Sequence, residues 1–502
     1  MAPSSARRVR SVRGYAWTIL LLAAIAWASA AAGQGASPQS PGTEGPLRLS
    51  LEQAMRMAVI NNLRLQSARL SVDTARFGVP TAEAAFQPTL TLNASRTGAE
   101  TSVRVAPDHT KTTLSSTFGP SITNKFLTGT NVTLAQTNTR PDSTPEEGSK
   151  TSGLTLTVSQ PLLKGAGIEV NRATIDTAKN NIQLAVRDLE SRLIDTLTGV
   201  ENAYLDLLLA VEDRKIRELA LERARQQLDV NRFLIEVGRL ASRELAAAEA
   251  AVSSTEVEVA VARNAIENAR RALLRLLNQD PVDVVLVDPL TFAPVIVNPA
   301  AALETAMRRR PDLLRARISA ENAKLSVNTA RNNALYDLSL NASIGSAGST
   351  PDPLTKAVQR SSDFKDVTWT IGATLTIPLD NAPNRNAYLS ALNALRQAEL
   401  DLKDAEQGAR LDLDNAVKNL EINTRRVTEA ERGQGLAQER LETETIKFRE
   451  GRATNADIIN ARRDLVSAQN ALLQAIVSYQ KSRVAYEQAQ GITLDRWSIE
   501  VK

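Results

Sequence analysis

The sequence predicts a mainly helical protein with a membrane β part: amphipathic strands, closed into a barrel between copies of the chain and continuous with a long coiled-coil barrel of helices. Three observations predict it. The chain repeats its own plan. Each repeat holds a proline-free amphipathic run that would be on the order of 100 Å long as a helix. The segments between the helices alternate with period two over a length suited to a tilted bilayer crossing.

The N-terminus comes first. Arg7, Arg8, Arg10 and Arg13 precede the apolar run 15–32, and no acidic residue lies among them. The run ends in small residues at 28–32, so the order is that of a cleaved secretory signal peptide, 1–32; the alternative for the same run is an uncleaved membrane anchor. Losing the four arginines takes the formal net charge from +4 to zero, which removes any charge argument for nucleic acid. No later stretch matches a membrane helix, so a span must be a closed β-barrel. Residues 33–46 form a flexible N-terminal segment.

The repeat is read from ordered anchors. Ser50-Leu-Glu-Gln-Ala-Met55 recurs as Ala302-Leu-Glu-Thr-Ala-Met307, and Leu92-Asn-Ala-Ser95 as Leu340-Asn-Ala-Ser343. Gln160-Pro161-Leu162 answers Ile377-Pro378-Leu379, and Val237-Gly238-Arg239 answers Glu450-Gly451-Arg452. These give a first repeat over 47–280, a proline-rich linker over 281–298, a second repeat over 299–495 and a C-terminal tail over 496–502.

Each repeat opens with one helix, 50–85 and 299–333, on which Leu51, Ala54, Met55, Ala58 and Val59 share a face. Strands follow. In 89–95, Leu90, Leu92 and Ala94 alternate with Thr89, Thr91 and Asn93. In 367–377, Val367, Trp369, Ile371, Ala373, Leu375 and Ile377 alternate with threonines and Gly372. One face suits lipid and the other a wet lumen; a half-buried sheet of a soluble protein has the same pattern. Between its paired strands the first repeat carries a longer polar stretch, 96–152. Its pieces 114–122 and 131–137 form either an additional hairpin or an extracellular loop.

The long helices come next. Ile182, Ala185, Leu189, Leu193, Leu197, Val200, Tyr204, Leu207 and Val211 recur at spacings of three and four within 171–236. A turn at Gly238 and a return helix over 241–277 follow. The second repeat runs 384–450, turns at Gly451 and returns through Gln490. Alanine-rich seams with only 4% aromatic residues suit close coiled-coil packing. Two strands per repeat give four per chain, too few to close a membrane barrel, so the chain must oligomerise. Three copies supply twelve strands and twelve long helical segments. Pro161 and Pro378 mark the strand-to-helix junctions.

With these features in order, the sequence resembles the outer-membrane efflux protein family, the TolC-like outer membrane factors, over 47–495. The resemblance implies a homotrimer with a 12-stranded β-barrel in outer-membrane lipid, continuous with a periplasmic α-helical barrel. It implies a passive exit duct of a tripartite efflux pump or type I secretion system. Its partners would be a periplasmic adaptor (membrane fusion protein) and an inner-membrane pump or ABC transporter. The hairpin tips Val237, Gly238, Arg239, Leu240 and Gly451, Arg452, Ala453, Thr454 match positions that meet the adaptor; the structural alternative for the arginines is a soluble turn. Asp457 matches the first aspartate of the family's periplasmic gate, Asn460 stands where the second would be, and Glu244 holds the matching place in the first repeat. The structural alternative for Asp457 is a residue near a helix N-terminus, favoured by the helix dipole.

An enzyme is not expected. The chain has no cysteine and one histidine, His109, in a polar Thr/Ser/Pro stretch read as a loop. No phosphate-cradling loop, paired histidine ligands or nucleophile elbow is present. No cofactor or metal is expected. The rival readings are a periplasmic coiled-coil adaptor, which the duplicated hairpin opposes, and a pore-free scaffold, which the strands oppose.

Overall fold

The computed structural model describes residues 47–103, 109–141, 149–238 and 241–499. The chain divides into a unit 1–47, of which only Leu47 is described, and a unit 48–502. The signal peptide and the segment 33–46 lie outside the described residues.

In chain order the elements are β1 (Leu47–Leu49), α1 (Leu51–Asn61), α2 (Leu63–Ala84), β2 (Thr89–Val103), β3 (His109–Lys125), β4 (Asn131–Pro141) and β5 (Lys150–Pro161). The first helical hairpin is α3 (Ile168–Glu236) and α4 (Arg243–Leu277). Then come β6 (Val284–Leu286), α5 (Pro299–Arg309), α6 (Pro311–Asn333), β7 (Asp337–Thr350), α7 (Leu354–Ser362) and β8 (Val367–Thr376). The second hairpin, α8 (Ala382–Arg449) and α9 (Asn455–Gln490), is followed by α10 (Thr493–Arg496).

The opening helix of each repeat is two helices, not one. In the first, a Ser50/Gln53 capping box starts α1, and Asn62 breaks the run with ψ 119°. The Asn62 side chain accepts from the Arg64 and Leu65 amides and donates to the Leu276 carbonyl at 2.9 Å. In the second, Pro311 forces Arg310 out of the helical region and then begins α6.

The long helices hold the core. Along α3, Leu189, Leu193, Leu197, Val200, Tyr204 and Leu207 are buried. At 69 residues, α3 is on the order of 100 Å long. It packs on α2, α4, α6 and α9, while α8 packs on α6 and α9. A second buried cluster gathers Leu413, Leu420 and Val427 of α8 with Ala475 and Tyr479 of α9. The linker is not featureless: β6 pairs with β1, and Val287 donates its amide to the Leu49 carbonyl.

The sheet corrects the strand count. It is a single antiparallel meander of six strands in the order β2-β3-β4-β5-β7-β8. The open alternative for 96–152 resolves as a hairpin, β3–β4, so four strands per chain and twelve per trimer no longer follow. Pro120 has no amide for the ladder and interrupts the alternation; pairing between β3 and β4 passes from Phe118↔Asn138 directly to Ser121↔Ala135. His109 is the first residue of β3, paired with Val103, rather than part of a loop. Between β7 and β8 the chain forms the short helix α7.

Candidate functional site

The sheet presents two chemically distinct faces, and its register aligns them across all six strands. Leu90, Ile122, Leu134, Leu156, Ile344 and Trp369 form one cross-strand row. All six are exposed, Trp369 at 70%. One residue along each strand, the row is Thr89, Thr123, Thr133, Thr157, Ser343 and Thr370, a hydroxyl on every strand. Thr123 and Thr133 share a hydrogen bond at 3.1 Å, and Thr117 and Thr139 one at 3.2 Å. Successive strand residues point to opposite faces, so an apolar face and a hydroxyl face lie back to back. An exposed apolar face of this extent marks a surface that contacts a membrane or another protein. Among the described residues the outer edges of β2 and β8 pair with no further strand, and every residue of β8 is exposed.

At one end of the sheet, on the face that carries the apolar row, α7 covers β5 and β7. Ser152 and Ser361 are buried there and hydrogen-bond at 3.1 Å. Gly348 permits the approach, since a Cβ at that position would stand 2.3 Å from the Ala357 carbonyl oxygen.

The strand-to-helix junctions sit at the other end. Pro161 closes β5 opposite Ser339. The following link is tied to the second repeat: Leu162 donates to the Leu338 carbonyl, and Gly165 donates to Asn332 Oδ1 at 2.7 Å. Pro378 stands between β8 and α8, where Asn381 donates to the Ala334 carbonyl at 3.0 Å.

At the far ends of the helices, both hairpins turn on a glycine in the left-handed region, Gly238 at φ 73° and Gly451 at φ 74°. Among the described residues a Cβ would meet nothing at either, and the left-handed backbone itself favours glycine. Val237 is half exposed, and Arg452 is exposed beside Glu450 at 3.1 Å. Thr454 is the N-cap of α9. Ala453 lies between them; Arg239 and Leu240 lie outside the described residues.

The three gate candidates do not converge. Asp457 closes a capping box: its carboxylate accepts from the Thr454 amide at 2.8 Å and the Thr454 hydroxyl at 2.6 Å. These bonds hold its pKa below the usual carboxylate value. Glu244 and Asn460 instead line one groove of about 310 Å³ between α4 and α9, together with Asn455 and Arg463. Asn455 is buried; its Oδ1 accepts from Gln227, which also donates to Asn231, and its Nδ2 has no partner among the described residues. Arg462 donates to the Arg223 carbonyl, tying the two hairpins together, and burial followed by the neighbouring Arg223 charge lowers its pKa.

Midway along the helices lie residues the sequence did not single out. Glu201 of α3 is buried against Arg496 at 3.2 Å and Arg483 at 3.9 Å. Glu487 joins the cluster through Arg496 and Arg483. Burial raises the Glu201 pKa despite the two arginines. Arg496, the first residue assigned to the tail, is therefore part of the packed structure.

The family model for "Outer membrane efflux protein" matches twice, over residues 54–279 and 302–491. The outer membrane protein TolC of Vibrio cholerae serotype O1 is 24% identical over 365 residues, covering 72% of this chain and 81% of the relative. The outer membrane efflux protein BepC of Brucella suis biovar 1 is 24% identical over 421 residues, covering 83% and 86%. Among solved structures, the outer-membrane channel OprN superposes with a TM-score of 0.66 at 19% identity, covering 88% of this chain and 89% of its own. The outer membrane protein VceC from Vibrio cholerae gives 0.63 at 19% identity, covering 88% and 96%.

Proposed function

Because the chain belongs to the outer membrane efflux protein family, we propose that it is the exit duct of a tripartite efflux pump or type I secretion system. Membership makes it an outer-membrane efflux channel with a periplasmic helical extension, and such channels are not an enzyme class. In the proposed assembly it is a homotrimer. The apolar row faces lipid, the hydroxyl row faces the lumen, and the long hairpins cross the periplasm. A periplasmic adaptor meets the Gly238 and Gly451 tips. An inner-membrane pump or ABC transporter supplies the energy. The closing constriction lies at the tips, where Glu244 and Asn460 line one groove and Asp457 holds the start of α9.

The observation that carries this reading is the exposed apolar row from Leu90 to Trp369, backed by hydroxyls and attached to helices of periplasm-spanning length. Unpaired backbone groups in hydrocarbon cost several kcal/mol each, so the free edges of β2 and β8 require neighbouring copies. The adaptor and scaffold readings leave that row without purpose.

The test is single-channel conductance of the purified mature protein in a planar bilayer, together with its oligomeric mass. Stable channels from a trimer are expected. A soluble monomer that never inserts would overturn the proposal.

A further inference from the structure

We infer that the β3–β4 hairpin is part of the membrane wall, so that three copies close an eighteen-stranded barrel rather than a twelve-stranded one. The inference rests on the trimeric duct proposed above and adds the width of its membrane end.

The hairpin is built as wall. The ladder enters it from β2 and leaves it into β5 without a change of face. Ile122 and Leu134 continue the apolar row, and Thr123 and Thr133 continue the hydroxyl row. A loop lying over the barrel mouth would have no cause to keep both rows in register with four other strands. Its turn sits at the junction end: Phe126 donates to the Thr130 carbonyl, and Gly167, just ahead of α3, donates to the Thr128 carbonyl. The hairpin thus runs the full height between the helices and the far rim.

The count also fits the helices. Beside the sheet, each chain places α2, α3, α6 and α8 side by side, in contact in that order. Twelve helices from three copies, spaced about 9–10 Å apart, give a circumference on the order of 110 Å. Eighteen strands spaced about 4.8 Å and tilted about 40° also give on the order of 110 Å, whereas twelve give only about 75 Å. Six strands per chain therefore join the helical cylinder without a step in width. The even number preserves alternation too: β2 runs away from the helices and β8 runs back, so β8 of one copy beside β2 of the next is antiparallel like every other pair. The membrane end is then about half again as wide as a twelve-stranded barrel. Restriction of cargo falls to the helical tips.

The chain has no cysteine, so single introduced cysteines report uniquely. The full-length protein, purified as its oligomer into nanodiscs, is labelled at Ile122→Cys, Leu134→Cys, Thr123→Cys and Thr133→Cys. Ile344→Cys and Thr370→Cys, on strands present in either count, serve as references. Bimane at 122, 134 and 344 is expected to be quenched several-fold by doxyl lipids. Cysteines at 123, 133 and 370 are expected to react with a membrane-impermeant thiol reagent at comparable rates. Quenching at 344 with none at 122 and 134 would put the hairpin outside the wall and overturn the inference while leaving the duct intact. Absence of the contrast between 344 and 370 would overturn both.

Discussion

The Tyr204 hydroxyl donates to Asp288 Oδ2 at 2.8 Å, joining the middle of α3 to the linker between the repeats. The same carboxylate oxygen accepts from the Leu51 amide at 2.7 Å, so one side chain fixes the linker, the start of α1 and the long helix together. The second repeat has a counterpart: Tyr479 donates to the Ala293 carbonyl at 2.7 Å and accepts from the Val295 amide at 3.1 Å. Burial and the Asp288 charge both raise the Tyr204 pKa, so the phenol stays protonated as the donor. Tyr204→Phe removes a buried bond to a charged group and should cost about 1.5–3 kcal/mol. The urea midpoint of the helical domain, followed by circular dichroism, should fall, with an unchanged slope. An unchanged midpoint would mean that the bond is replaced by water at no cost.

Glu201 gives a pH dependence of definite sign. Burial places its folded pKa above the ordinary 4.5, against the pull of Arg496 and Arg483. As pH rises through the ordinary value, the unfolded chain releases this proton first. The folded state therefore loses stability from 4.5 up to the raised value, and loses no more beyond it. Glu201→Gln has no proton to release. The melting temperature of the parent minus that of the variant should shrink as pH is raised from 4.5 towards neutrality. A difference that grows over that window would mean that the arginines outweigh burial.

Gly348→Val should detach α7. The new side chain would enter the space of the Ala357 carbonyl and the Arg360 side chain, and overpacking of this kind costs about 1–3 kcal/mol. The Ser152–Ser361 bond should be lost with it. Limited proteolysis of the assembled oligomer should show new cleavage within 351–366, while the oligomer itself persists. Resistance equal to the parent would mean that the sheet yields locally and keeps α7 in place.

What was legible in the sequence is what local chemistry dictates. The alternation in β8, the turns at Gly238 and Gly451 and the Pro161 and Pro378 breaks each follow from neighbouring residues. What was missed depends on distant partners. Asn62 ends α1 by capping α2 while reaching Leu276, which lies far along the chain. The β3–β4 hairpin shows its two faces only once Leu90 and Leu156 supply the register. The small surface of α7 becomes a packing surface only opposite Gly348. Glu201 and Arg496 meet across nearly three hundred residues, and nothing near either marks the other. Glu244 and Asn460 were singled out by family resemblance, and the fold brings them to one groove. Asp457 was singled out in the same way, and the fold gives its carboxylate to Thr454.

That last assignment separates two roles for one residue. Asp457→Ala removes the side chain that closes the capping box, so α9 should fray at the second tip and leak through the closed duct should rise. Asp457→Asn removes the charge but keeps an oxygen able to accept from the Thr454 amide. If capping is what matters, the asparagine variant should leak like the parent, and Thr454→Ala, which costs about 1 kcal/mol at an N-cap, should leak like Asp457→Ala. Glu244→Gln acts elsewhere: Glu244 lines the groove with Asn460 and Arg463, and on the proposed gate role neutralising it should weaken any block of the duct by divalent cations without loosening the tip. All four are read by conductance in planar bilayers with and without added divalent cation. Leak in Asp457→Asn equal to that in Asp457→Ala would return the charge itself to the gate, and cation block unchanged in Glu244→Gln would remove the groove from it.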